Sequence, residues 1–149
     1  MLNHSVHIAI VVSVFNEQIT DKLLEGTLST LADSGIDQEQ INVVKVPGAI
    51  EVPLIAKLLA RSNKYHAIIC LGAVIQGETD HHLYVCQQVS HGCQQVMLEF
   101  NVPVIFGMLT TKNVKQAQAR VSKRKSHKGI EAANTAIQMI ELVQEIVYS

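Results

Sequence analysis

The sequence predicts an α/β fold: one domain built on a four-stranded parallel sheet with helices on both faces. Three observations predict it. Four short apolar runs alternate with longer segments of helical periodicity along the whole chain. The runs are continuous rather than alternating, as strands buried on both faces require. The 149 residues suffice for one sizeable core but not for two.

Each element has its own signal. Residues 6–15, VHIAIVVSVF, are β-branched and uninterrupted, a first strand. Residues 19–35, ITDKLLEGTLSTLADSG, carry apolar positions near helical spacing and stop at Gly35, a C-cap. INVVKVPG (41–48) reads as the second strand, halted by Pro47 and Gly48. EVPLIAKLLARS (51–62) reads as a helix with Pro53 in its first turn, where a missing N–H costs little. HAIICLGAVI (66–75) is strand three, followed by a helix over 81–100. VPVIFGMLTT (102–111) is strand four, followed by a short helix over 113–120. After the basic segment VSKRKSHKG, residues 130–147 form a last helix with Ile137, Ile140, Val143, Ile146 and Val147 near one stripe. Right-handed crossovers close this order into a flavodoxin-like three-layer α/β/α arrangement. No linker, repeat or low-complexity tract interrupts it, so residues 1–149 form a single domain. The opening MLNHSVH can add an edge strand to a neighbour's sheet.

Composition narrows the function classes. Twelve basic against thirteen acidic residues leave a net charge of −1, so no overall field favours nucleic acid or membrane. Charged residues make up 17% of the chain, below the usual quarter, which implies apolar surface covered by other subunits. No apolar run approaches a membrane span, and the N-terminus lacks the regions of a signal peptide. A cytoplasmic protein is expected. Of the three cysteines, Cys86 and Cys93 are seven apart on one predicted helix. That is about 10 Å along its axis, too far for a bridge. Reduced, packed thiols are expected.

The chemistry concentrates in CLGAVIQGETDHHLYVCQQ, residues 70–88. Open parallel sheets bind ligands outside the carboxyl ends of their strands. Here those ends are Phe15 and Asn16, residues 47–51, residues 73–81, and Phe106 onward. The third end leads into a helix N-terminus, which favours an anion. One of the adjacent His81 and His82 can face the rim and exchange protons near neutrality; the alternative is a histidine merely exposed at a helix start. Phe15 offers a ring to a flat heterocycle, or else caps the core. Glu51 can accept N–H groups of such a heterocycle or polyol hydroxyls, or else complements a helix dipole. Arg120 can grip a phosphate bidentately and Lys128 adds a point charge. Lys123, Arg124 and Lys125 read as a solvated loop.

Other chemistries fit poorly. His82, Cys86 and Cys93 share a rough helical stripe with His91 nearby, but no turn supplies paired ligands, so no metal is expected. Cys86 lacks an assigned base for nucleophilic work. The first strand–helix turn, VFNEQIT, lacks the glycines of a dinucleotide site, and no phosphate-binding P-loop appears. No aromatic residues interleave the basic run, which argues against nucleic acid.

Five elements in order resemble the lumazine synthase family over nearly the whole chain: FN after strand one, VPGAIEVP, LGAVIQGETDHH, VPVIFGMLTT, and AR followed eight residues later by KG. The resemblance implies condensation of 5-amino-6-(D-ribitylamino)uracil with 3,4-dihydroxy-2-butanone 4-phosphate. Products are 6,7-dimethyl-8-ribityllumazine, phosphate and water, made without metal or organic cofactor. It implies that Phe15 stacks on the pyrimidine, and that Ala49, Ile50, Glu51, Ala73, Val74 and Ile75 bind the pyrimidine and its ribityl chain. Gly77, Glu78, Thr79, Arg120 and Lys128 would bind phosphate. His81 would transfer protons, and Phe106 would come from an adjacent subunit. It implies pentamers too, and the lack of an insertion between Arg120 and Lys128 leans towards an icosahedral shell of them.

The chain departs from the family pattern at four positions. Gln76 replaces a frequent arginine, Glu78 a small residue, His82 an aromatic one, and Ile50 a position often aromatic. A carboxylate at Glu78 suits a phosphate site only if it points away. Asp80 is expected to orient His81 or its neighbours. Two further readings are open at this point: a flavin or lumazine carrier without turnover, and a shell subunit with a vestigial site.

Overall fold

The computed structural model describes residues 6–148. Four strands, β1 (Ile8–Ser13), β2 (Ile41–Val46), β3 (Ala67–Ile75) and β4 (Val104–Thr111), form one sheet in the order β2-β1-β3-β4. All pairs are parallel, with Ile8 opposite both Ile41 and Ala67, and Ile68 opposite Val104. The helices are α1 (Glu17–Asp33), α2 (Val52–Arg61), α3 (His81–Phe100), α4 (Val114–Ala119) and α5 (Lys128–Tyr148). Because side chains alternate across a strand, the sheet feeds two cores. Ile8, Ile10, Ile69 and Leu71 pack with Leu23, Leu31 and Ile140 of α1 and α5. Ala9, Val11, Ile68 and Cys70 pack with Val52, Ala56, Val89 and Val96 of α2 and α3. This is the expected three-layer architecture, and no described helix is long and apolar enough to cross a membrane.

The differences from expectation have local causes. Strand one stops at Ser13 because Asn16 takes a left-handed conformation (φ 63°) and turns the chain into α1. β2 is an edge, not a doubly buried strand, so its Asn42, Val43 and Lys45 are exposed. The expected N-terminal edge strand falls on residues 1–7, of which 1–5 lie outside the described residues; Val6 and His7 are not in a strand. Gly35 follows the α1 cap with φ 88°, as its role as a helix stop requires.

α5 starts two residues earlier than the pattern suggests because His127 serves its first turn. Its Nδ1 accepts the N–H groups of Gly129 (3.1 Å) and Ile130 (3.4 Å). Burial holds the His127 imidazole below its ordinary value, against the opposing pull of Glu25 and of the Lys22 backbone. The folded chain therefore binds this proton less readily than the unfolded chain. The resulting stability is present in full above about pH 6.5 and declines as pH falls through that value. Thermal unfolding should show Tm dropping between about pH 7 and about pH 5. His127→Asn, which keeps an acceptor and does not titrate, should flatten part of that drop by a few degrees. An identical pH profile for the variant would contradict this role.

Candidate active site

A cleft of about 420 Å³ opens at the carboxyl ends of β1, β2 and β3. One wall is the β1–α1 junction. Phe15 N–H donates to the Pro47 carbonyl (3.1 Å) and the Asn16 side-chain amide donates to the Ala73 carbonyl (3.1 Å). Bonds on both sides fix the backbone that carries Phe15, whose ring stays 70% exposed over the cleft. A large apolar ring held open in this way is a platform for a flat heterocycle.

The floor is Ala73, Val74 and Ile75 at the end of β3, with Ala49 buried beside them. Ile50 and Glu51 stand exposed on the 3-10 turn Ala49–Glu51. The far wall is the start of α3, where Gly77, Thr79, His81, His82 and Val85 line the cleft. The Gln76 N–H is pinned to the Thr111 carbonyl (2.8 Å), and Thr79 Oγ1 accepts the His81 N–H at 3.3 Å. The first turn of α3 thus presents its N-terminus, with the associated partial positive charge, to the cleft. His81 is exposed and its ring makes no hydrogen bond among the described residues.

Ten of the residues singled out from sequence meet here: Phe15, Ala49, Ile50, Glu51, Ala73, Val74, Ile75, Gly77, Thr79 and His81. Glu78 is exposed but does not line the cleft, which removes the conflict of a carboxylate at an anion site. Asp80 was expected to orient His81; its carboxylate makes no hydrogen bond to either histidine. Val85, Asn16 and Gly48 complete the lining without having been assigned a role, and His82 lines it as well, so both adjacent histidines face the cleft rather than one of them. Helical spacing was the available signal for Val85, three residues beyond His82.

Phe106, Arg120 and Lys128 lie elsewhere. Phe106 and Lys128 line a second groove, about 350 Å³, together with Glu131 and Met139. The two linings share no residue. Phe106 pairs with Cys70 in the register of β3 and β4, three residues short of Ala73. That is about 10 Å down the strands, and β4 is the edge away from β2. Glu131 gathers both cations: Lys128 Nζ lies 3.1 Å from its Oε1 and Arg120 Nη2 lies 3.5 Å from its Oε2. Arg120 Nε also donates to the Ser126 carbonyl (2.9 Å). Within one chain, the proton-transferring candidate and the basic candidates are not brought together.

The cysteines take no part in the cleft. All three are free thiols. Cys70 donates to Cys93, which together with burial raises the Cys70 thiol; the same bond lowers Cys93. Burial raises Cys86, and none of the three lines the cleft.

The chain is similar throughout its length to proteins of one kind. A family model for 6,7-dimethyl-8-ribityllumazine synthase matches residues 5–144. The 6,7-dimethyl-8-ribityllumazine synthases of Coxiella burnetii strains CbuG_Q212 and RSA 493 are each 55% identical over 146 residues, covering 98% of this chain and 97% of the relative. That of strain Dugway 5J108-111 matches to the same extent. With its parallel sheet and its cleft at the strand ends, the chain belongs to the 6,7-dimethyl-8-ribityllumazine synthase family.

Proposed function

We propose that the chain condenses 5-amino-6-(D-ribitylamino)uracil with 3,4-dihydroxy-2-butanone 4-phosphate, releasing 6,7-dimethyl-8-ribityllumazine, phosphate and water. The observation that carries the reading is the meeting of Phe15, Glu51 and His81 around one cleft. The Phe15 ring stacks on the pyrimidine, and the turn of Ala49, Ile50 and Glu51 holds the ring edge and ribityl chain. The floor of Ala73, Val74 and Ile75 keeps the ring dry. Gly77 and Thr79, at the N-terminus of α3, receive the phosphate. Glu78 stands outside the lining and makes no charge contact there.

The chemistry asks for proton traffic and alignment. The uracil amine attacks the ketone, water leaves to form an imine, phosphate is eliminated, and ring closure expels a second water. His81 moves protons at these steps. Alignment of two reactants over Phe15 supplies much of the rest, since effective molarities reach about 10⁵ M or more. No step calls on a cofactor.

The separation of the two grooves supports a site completed by a second copy. Phe106, Arg120 and Lys128 on the β4 edge of one subunit meet the cleft of its neighbour, and Arg120 and Lys128 close on the phosphate. Exposed Leu54, Leu83, Tyr84 and Leu98 on α2 and α3 supply apolar surface for such contacts. The working form is a homo-pentamer in the cytoplasm, with an icosahedral shell of pentamers as its larger assembly.

Hybrid oligomers test this arrangement. His81→Ala and Arg120→Ala subunits are each expected to assemble into nearly inactive oligomers. Subunits dissociated, mixed in equal amounts and reassembled should recover about a quarter of wild-type turnover, the share of interfaces that joins an intact cleft to an intact Arg120 edge. Hybrid oligomers verified by mass but without recovered turnover would mean that each chain closes its own site.

A further inference from the structure

We propose that His82 reads a hydroxyl of the ribityl chain, donating a hydrogen bond from Nε2 while Glu51 accepts the hydroxyl proton. The inference rests on the reading of the cleft given above. His82 is half-buried and lines the cleft. Its Nδ1 is sealed from solvent and has no hydrogen-bond partner among the described residues. Nε2 is not sealed in this way and is likewise unbonded, so it is the nitrogen that a ligand can reach. A neutral imidazole carries one proton, and an orphaned N–H is tolerated in protein interiors less well than an unpaired acceptor. The buried, partnerless Nδ1 therefore selects the tautomer with the proton on Nε2. His82 enters the cleft as a donor.

Its place on α3 decides which part of the ligand it meets. His82, Val85 and Val89 share one helical face, and Val89 is buried in the core with Val52 and Ala56. His82 thus stands on the α3 wall of the cleft, and α3 packs against the turn that carries Glu51. The Glu51 carboxylate leans over Gly48, its Oε1 3.1 Å from where a Cβ on that glycine would sit. It is exposed and makes no side-chain hydrogen bond among the described residues. A phosphate only accepts, so a carboxylate beside the donor repels it. A hydroxyl both accepts and donates, and a donor paired with an acceptor satisfies both of its needs. Among the ligand's groups, the ribityl hydroxyls have that character.

Calorimetric titration with two unreactive analogues tests the assignment. One is 5-nitro-6-(D-ribitylamino)uracil, whose nitro group cannot attack a ketone; the other carries a pentylamino chain of equal length without hydroxyls. His82→Phe, which keeps a ring and removes both nitrogens, should weaken the ribityl analogue about 5-fold to 10-fold, the loss of one hydrogen bond. The pentyl analogue should stay within about twofold. His82→Gln, which retains a side-chain N–H, should recover part of the loss, and His82→Leu carries the same expectation as His82→Phe should the latter misfold. Unchanged ribityl affinity, or equal losses on both analogues, overturns the role of His82. A wild-type protein that does not prefer the ribityl analogue to the pentyl one overturns the reading of the cleft itself.

Discussion

Replacing His81 with alanine is expected to lower kcat about 100-fold while changing pyrimidine affinity less than about threefold. The side chain stands at the first residue of α3, on the wall of the cleft shared by Phe15 and Glu51. Its backbone is held by Thr79 Oγ1 and its ring is unengaged by other described residues. It is therefore free to take and return protons at the reacting atoms. A positioned acid–base group contributes about 10² to 10⁴. The lower end applies here because stacking and alignment over Phe15 survive the substitution and retain the proximity share of the acceleration. Steady-state rates with both substrates, together with titration of a 5-nitro analogue, separate the two effects. Unchanged kcat would remove His81 from the chemistry, and a parallel collapse of affinity would make it a binding residue.

Gly129→Ala is expected to carry the largest stability cost of any glycine-to-alanine change in this chain. A Cβ at Gly129 would lie 2.2 Å from the Leu23 carbonyl oxygen and 3.0 Å from its carbon. The obstruction is backbone on the facing helix, so no side chain can swing aside. Relief requires α1 and α5 to part, where they bury Leu23, Ala132, Ala133, Ala136 and Ile140. The Thr27 hydroxyl, 2.8 Å from the Leu23 carbonyl and 3.0 Å from the Gly129 carbonyl, would be strained as well. Overpacking typically costs about 1–3 kcal/mol, and the rigid partner puts this case at about 3 kcal/mol or more. Tm should then fall by on the order of 10 °C. Gly77→Ala is the contrast: an added Cβ there meets nothing within 4 Å, and Tm should hardly move. Similar melting of the two variants would contradict the close approach of α1 and α5.

The sheet and the junction after β3 were legible because their signals are local. β1 and β3 are unbroken apolar runs, and the helix over 81–100 is bounded by Asp80 before it and a left-handed Asn101 after it. The cleft followed from a rule about strand ends, and ten of its residues could be named. What escaped depends on long-range placement. Nothing in the spacing of Phe106, Arg120 and Lys128 reveals that they fall beside the β4 edge; that requires the strand order β2-β1-β3-β4. β2 looks buried as a string of letters, but only its position at the other edge exposes Lys45. His127 hides among lysines and an arginine, so its service to α5 is invisible until Gly129 and Ile130 are seen facing Nδ1. A weak helix former at Gly129 also masked the true start of that helix.

The most direct measurement is to incubate the purified protein with 5-amino-6-(D-ribitylamino)uracil and 3,4-dihydroxy-2-butanone 4-phosphate and to follow lumazine formation by absorbance and fluorescence. The expected result is a rate well above the uncatalysed condensation, with one phosphate released for each lumazine formed. A rate no greater than the uncatalysed one, with the pyrimidine still bound, would contradict turnover and leave a protein that holds the heterocycle over Phe15 without joining it to anything.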